Sequence, residues 1–235
     1  DNKNDQSQTI SAYKKLTGLK HVVAVLGPIT STNSLALRDE ATAAKTVMIS
    51  PTATNEAVAP GSDYIFRTCF TDAFQGRVIA TYAYQELGKL RAALLIDKSS
   101  DYAIGLSGTF SKVFTELGGE IVAQETYKEK DTEFGPQLAN IKQQQADLVF
   151  VPGYPGEVPL IIKQKQVMGI SAVFCGSDGW DHDDIITKSG EGILGGFFTS
   201  GFYREAPTDE VKRFVAAIEK RGTKADFFSA QGYDT

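Results

Sequence analysis

Short runs of apolar and β-branched residues alternate along this chain with longer stretches in which apolar positions recur every three or four residues. That is the pattern of strands and amphipathic helices taking turns. Strands are predicted at 21–26, 46–50, 92–97, 120–126, 147–151, 172–175 and 194–199. Helices are predicted at 34–44, 73–87, 103–117, 134–144, 157–168 and 209–220. Several helices stop where a glycine follows: Leu117 before Gly118, Met168 before Gly169 and Arg221 before Gly222, as expected where positive φ closes the last turn. The alternation predicts the α/β class, with parallel sheets flanked by helices.

The alternation breaks twice. Residues 55–71 contain Pro60, Gly61 and a short strand-like Tyr64-Ile65-Phe66-Arg67-Thr68, and residues 200–208 form a second irregular stretch. Two such crossings predict two lobes, with 1–70 and 202–235 forming a discontinuous first lobe and 71–201 the second. The first periodic segment, 10–16, is already a helix feeding a strand, and another helix is under way near Gly232. The chain therefore reads as an excerpt whose first lobe has unpaired strand edges.

Composition narrows the partners. With 235 residues, about one or two domains fit. The 42% hydrophobic and 23% charged content is that of a folding chain. A net charge of −5 without a basic block argues against nucleic acid, and the longest apolar runs fall far short of the roughly 20 residues that cross a bilayer, so no membrane insertion is expected. No secretory leader pattern opens the sequence. Cys69 and Cys175 leave two readings open, two buried thiols or a single bridge.

Catalytic and metal motifs give little. The string Gly190-Glu191-Gly192-Ile193-Leu194-Gly195 has glycine spacing reminiscent of a dinucleotide loop, but it leads into a strand instead of following one. His182, in Asp181-His182-Asp183-Asp184, suits a polar loop and helix start as well as a metal. No catalytic residue, metal or cofactor is expected. The informative residues follow the predicted strands, where open α/β sheets hold ligands. Gly27-Pro28-Ile29-Thr30-Ser31-Thr32-Asn33 and Ser50-Pro51-Thr52-Ala53-Thr54-Asn55 offer hydroxyls and backbone N–H groups to an anion, or simply cap helices. Tyr102, Tyr154 and Asp178 follow later strands. An acid beside aromatic walls can pair with an ammonium, although Asp178 also suits a turn before glycine. Together the two sets fit a zwitterionic amino acid.

At these residues the sequence resembles the periplasmic solute-binding proteins of branched-chain amino acid ABC transporters, the type I or Leu/Ile/Val-binding family. The segments that carry the likeness are AVLGPITSTNSLA, VMISPTATNE, YIFRTCFTDAFQG, LLIDKSSDYAIGL, DTEFGPQLANIK, DLVFVPGYPGEV and FCGSDGW, and they cover nearly the whole chain. The resemblance implies two Rossmann-like lobes joined by a hinge, lacking here the family's first strand-helix unit and its C-terminal part. It implies that Ser31 and Thr54 bind a ligand carboxylate, that the Thr52 carbonyl and the Asp178 carboxylate receive the ammonium, and that Tyr102 and Tyr154 complete the wall. Ile29 and Thr30 would line the side-chain pocket. Many relatives carry Glu at the position of Asp178. The implied role is capture of an aliphatic or branched-chain amino acid by a monomeric, non-enzymatic protein of the periplasm or cell surface that delivers it to ABC permease subunits. The alternatives are a ligand-sensing receptor or regulator domain, and a binding protein for aromatic or other non-amino carboxylates.

Overall fold

The computed structural model describes residues 2–19 and 21–235. The chain clusters into two compact units, one comprising the residues up to Thr71 together with Gly201–Thr235, the other Asp72–Ser200.

The first unit opens with α1 (Gln6–Thr17), whose N-cap Asp5 accepts from the Gln8 N–H. Next come β1 (Ala24–Leu26), α2 (Ser31–Ala44), β2 (Val47–Ser50) and β3 (Ile65–Arg67). The three strands run parallel in the order β1-β2-β3, with Leu26 opposite Ile49 and Ile49 opposite Phe66. Tyr13, Leu37, Ala41, Met48, Ala53, Val58 and Ile65 make the core beneath them. Strand β1 is one edge of this sheet, and Val23 and Leu26 are exposed there.

The second unit holds α3 (Asp72–Thr81), β4 (Arg91–Asp97), α4 (Asp101–Glu116), β5 (Glu120–Tyr127), α5 (Gly135–Gln143), β6 (Leu148–Phe150), α6 (Val158–Val167), β7 (Val173–Gly176), α7 (Asp183–Ser189) and β8 (Phe197–Phe198). Its five strands are parallel in the order β5-β4-β6-β7-β8. Successive strand residues point to opposite faces. Along β4, Ala92, Leu94 and Ile96 enter one core with Phe110, Phe114 and Phe150, while Ala93 and Leu95 enter another with Val149, Phe134 and Phe174. Because helices cover both faces, β4 reads as one continuous apolar run. Fully burying an aromatic or aliphatic side chain contributes about 1.5–3 kcal/mol, so these two clusters fix the strand register. The chain then returns to the first unit with α8 (Asp209–Glu219) and α9 (Phe227–Asp234), the latter closed by a capping box of Asp226 and Ser229.

Several boundaries differ from the sequence expectation. The helix predicted over 73–87 ends as α-helix at Thr81 and continues as a π-type turn over Tyr82–Glu86, with Leu87 N–H bonded to the Tyr82 carbonyl. The strand predicted over 194–199 shrinks to two residues, because Gly190–Ile193 form a 3₁₀ turn and Gly195 takes a positive φ. The glycine string 190–195 is thus a turn entering a strand, and the Gly192 carbonyl accepts from the Lys165 ammonium at 3.1 Å. His182 is the N-cap of α7, its Nδ1 accepting from the Asp184 N–H at 3.1 Å. Both cysteines are buried thiols, so the bridge is not formed. Among the described residues, no helix is long and apolar enough to cross a membrane.

Candidate functional site

The candidate residues fall into two clusters, one at the carboxyl ends of the strands in each unit.

In the first unit, the loops after β1 and β2 are stitched together by side chains. Ser50 Oγ donates to the Pro28 carbonyl at 2.5 Å and Thr52 Oγ1 to the Ile29 carbonyl at 2.7 Å. Ser31 Oγ accepts from the Asn55 N–H at 3.2 Å, which leaves its own O–H available as a donor. Ser31 is also the first residue of α2, whose N-cap Thr30 makes no side-chain cap bond, so the positive end of the helix dipole lies beside this hydroxyl. Thr54 is fully buried and its Oγ1 has no hydrogen-bond partner among the described residues. Leaving a buried hydroxyl unpaired costs about 1–3 kcal/mol, a cost that a bound acceptor removes. The loop is held from β3: the Arg67 guanidinium donates to the carbonyls of Thr54 at 3.2 Å and Asn55 at 2.7 Å.

Three further expected residues lie in the same loops. Thr30 Oγ1 donates to Asn4 Oδ1 at 3.0 Å, as does Asn33 Nδ2 at 2.9 Å, so the Thr30 hydroxyl is engaged by the segment before α1. Ile29 is exposed. The Thr52 hydroxyl is spent on the loop itself.

In the second unit, β4, β6 and β7 are neighbours with Leu94, Phe150 and Cys175 in register, which delivers their following loops to one place. Asp178 starts a 3₁₀ turn just after β7 and is only 5% exposed. The Tyr102 hydroxyl donates to Asp178 Oδ1 at 2.7 Å, lies 2.5 Å from Ser177 Oγ and accepts from the Gly179 N–H at 3.1 Å. Tyr154 stacks on Tyr102 with ring centroids 5.3 Å apart. Tyr102, expected in the wall of the site, is a buried strut under the acid. The turn is tight enough that a side chain at Gly179 would stand 2.5 Å from the Gly153 carbonyl, and one at Gly176 would meet the Trp180 ring at 2.1 Å. Trp180 is pinned in turn by Nε1 donating to the Val151 carbonyl at 2.8 Å.

Burial dominates the electrostatics. Removal from water pushes the Asp178 carboxyl up to about 6, against the opposing effects of the hydrogen bond from Tyr102 and of the neighbouring Gln75 amide. Both tyrosine hydroxyls are raised for the same reason, with Asp178 adding to the shift. None of the ion pairs among the described residues involves Asp178. Gln75, on the first turn of α3, has no mark in the sequence; its amide accepts from the Asp178 N–H at 3.4 Å and donates to Asp72 at 3.1 Å. Arg67 is a second contributor that sequence reasoning missed. Neither residue sits in a spacing that distinguishes it from an ordinary surface side chain.

Parallel sheets with hydroxyl-rich loops at one set of strand ends, and a buried acid beside stacked tyrosines at another, define an α/β protein of the solute-binding type. The chain belongs to the periplasmic binding protein family, which it matches over residues 1–235. It is similar to Leu/Ile/Val-binding protein homolog 3 of Brucella melitensis, 25% identical over an alignment 235 positions long that covers 99% of this chain and 63% of that protein. Among solved structures it is similar to a leucine binding protein LivK from Thermotoga maritima, with 32% identity and a TM-score of 0.95. It is similar also to the substrate binding protein LivJ from Streptococcus pneumoniae in complex with isoleucine, with 34% identity and a TM-score of 0.91. Each of these two structures covers 100% of this chain, and the chain covers 67% of each. It spans less than two thirds of the curated relative.

Proposed function

We propose that this protein is a non-enzymatic, extracytoplasmic receptor that captures an aliphatic amino acid and presents it to the permease of an ABC importer. The observation that carries this reading is Asp178, a buried carboxylate that none of the chain's described cationic side chains pairs with. Burying a charge is strongly unfavourable unless it is paired, and the ammonium of an amino acid supplies the missing charge. The ligand carboxylate suits the other half-site, where Ser31 has a donor to give, Thr54 lacks a partner and the start of α2 favours an anion. Tyr154 is the aromatic neighbour suited to the ligand's α-substituents. The Thr52 carbonyl, Thr30 and Ile29 stay in the proposal as lesser contacts, at the ammonium and at the side-chain pocket.

The two units, 71–201 against 1–70 with 202–235, act in this reading as the lobes of a hinged clamp. Ligand that touches both lobes drives closure only by its extra affinity for the closed state. The likeness to the LivK and LivJ structures and to the Brucella homologue supports a branched-chain ligand and a periplasmic or cell-surface location. Thermal unfolding against a panel of amino acids and their deaminated analogues tests the reading. A ligand at about 1,000 times its dissociation constant stabilises the native state by roughly 4 kcal/mol. Stabilisation by L-leucine, L-isoleucine or L-valine is expected. Equal stabilisation by deaminated analogues contradicts the ammonium site and favours a carboxylate receptor.

A further inference from the structure

Gln75 lies at a junction that ligand binding through Asp178 does not by itself require. Its side chain is 1% exposed. Nε2 donates to Asp72 Oδ1 at 3.1 Å, and Oε1 accepts both the Asp178 N–H at 3.4 Å and the Thr199 hydroxyl at 3.0 Å. Asp72 is the first residue of the second unit and Thr199 the last but one. One amide therefore touches the point where the chain enters the unit, the point where it leaves, and the turn that carries the acid. A glutamine amide offers two donors and one oxygen with two lone pairs, and here both lone pairs and one donor are committed.

We propose that Gln75 is a positioning residue for Asp178, and that it links occupancy of that acid to the two places where the chain passes into and out of the second unit. This rests on the assignment of Asp178 to the ligand ammonium. The amide orients the Asp178 backbone by accepting its N–H, and its presence beside the acid favours the charged form. The other titratable groups around the acid are Tyr102 on α4, Tyr154 after β6 and Asp72 on α3. When an ammonium draws the carboxylate toward itself, the turn at 178–179 shifts against Gln75, and the strain reaches Thr199 and the start of α3 through bonds already in place.

The test compares the native protein with Gln75→Met, which keeps the length and loses every hydrogen bond, and with Gln75→Glu, which keeps an acceptor but sets a second carboxylate beside the first. L-leucine is titrated by calorimetry across a pH series, and amide hydrogen exchange is followed with and without it. Gln75→Met is expected to weaken leucine binding about tenfold at about pH 8, the upper end of what one neutral hydrogen bond contributes, and to raise the pH midpoint of binding. Gln75→Glu is expected to raise the midpoint further. Leucine is expected to slow exchange at 72–75 and 198–200 in the native protein and much less in Gln75→Met. A merely structural glutamine lowers the melting temperature of both variants but moves neither the midpoint nor the exchange pattern, and that result overturns the inference. Asp178→Asn is run beside them. If it binds leucine like the native protein, the ammonium assignment falls and this inference with it; if it loses leucine while Gln75→Met retains native affinity and midpoint, only the role of Gln75 is overturned.

Discussion

The hydroxyl of Tyr102 donates to Asp178 Oδ1 at 2.7 Å while accepting from the Gly179 N–H at 3.1 Å, so a phenol held in α4 fixes the acid and the turn that carries it. Removing that hydroxyl leaves the fold's apolar contacts in place and takes away a hydrogen bond to a charged group, worth about 1.5–3 kcal/mol. Tyr102→Phe is expected to weaken L-leucine binding by roughly ten- to a hundredfold and to raise the Asp178 carboxyl further. Calorimetry across pH reads both effects; unchanged affinity contradicts the strut role.

The raised carboxyl makes binding pH-dependent in a defined direction. An ammonium ligand needs Asp178 ionised, and in the unliganded protein the group takes up its proton as pH falls through about 6. Affinity is therefore expected to be level above about pH 7 and to drop about tenfold by about pH 5, with proton release on binding in the acidic range. A binding curve flat between about pH 8 and pH 5 contradicts this.

The same group lowers the stability of the unliganded protein. Its carboxyl is higher in the folded state than the usual 3.8, so the penalty is whole above about 6, shrinks as the folded protein takes up the proton, and vanishes below 3.8. A carboxyl raised from 3.8 to about 6 corresponds to a penalty of about 3 kcal/mol. Asp178→Asn, which keeps an acceptor for Tyr102, is expected to be more stable than the native protein at about pH 8 by up to that amount, with the gain fading toward acid. Denaturant melts at two pH values measure it, and a variant less stable at both contradicts the desolvation argument.

Thr54 gives a parallel case without a charge. Its hydroxyl is buried and has no partner among the described residues, so Thr54→Val is expected to leave the unliganded protein as stable or more stable. Ligand binding should weaken by about 1–3 kcal/mol, the usual cost of losing a buried hydrogen bond. If melting and titration both stay at native values, Thr54 does not contact the ligand.

The fold was legible because burial on both faces writes β4 and its neighbours as apolar runs, and because glycines mark the helix ends. The weaker boundaries fall where tertiary contacts override pattern: the π-type turn at Tyr82–Glu86 and the short β8 follow from backbone bonds that no periodicity encodes. In the site, Ser31, Thr54 and Asp178 stood out because they follow strands in hydroxyl-rich or acidic turns. The burial of Tyr102 depends on how α4 packs over β4 and β5, which its position after a strand does not encode. Gln75 and Arg67 act across 103 and 12–13 residues of sequence to position backbone, and nothing local to either announces it. The bond from the Thr30 hydroxyl to Asn4 joins residues 26 apart and is likewise not encoded in the motif around Thr30.

The most direct test of the central claim compares L-leucine with isocaproate, which lacks only the amino group, in the native protein and in Asp178→Asn by calorimetry. Loss of one member of a buried charge pair costs about 2–5 kcal/mol, so the native protein is expected to prefer leucine by at least about thirtyfold and the variant to lose that preference. If both proteins show the same ratio of leucine to isocaproate affinity, Asp178 does not receive the ammonium.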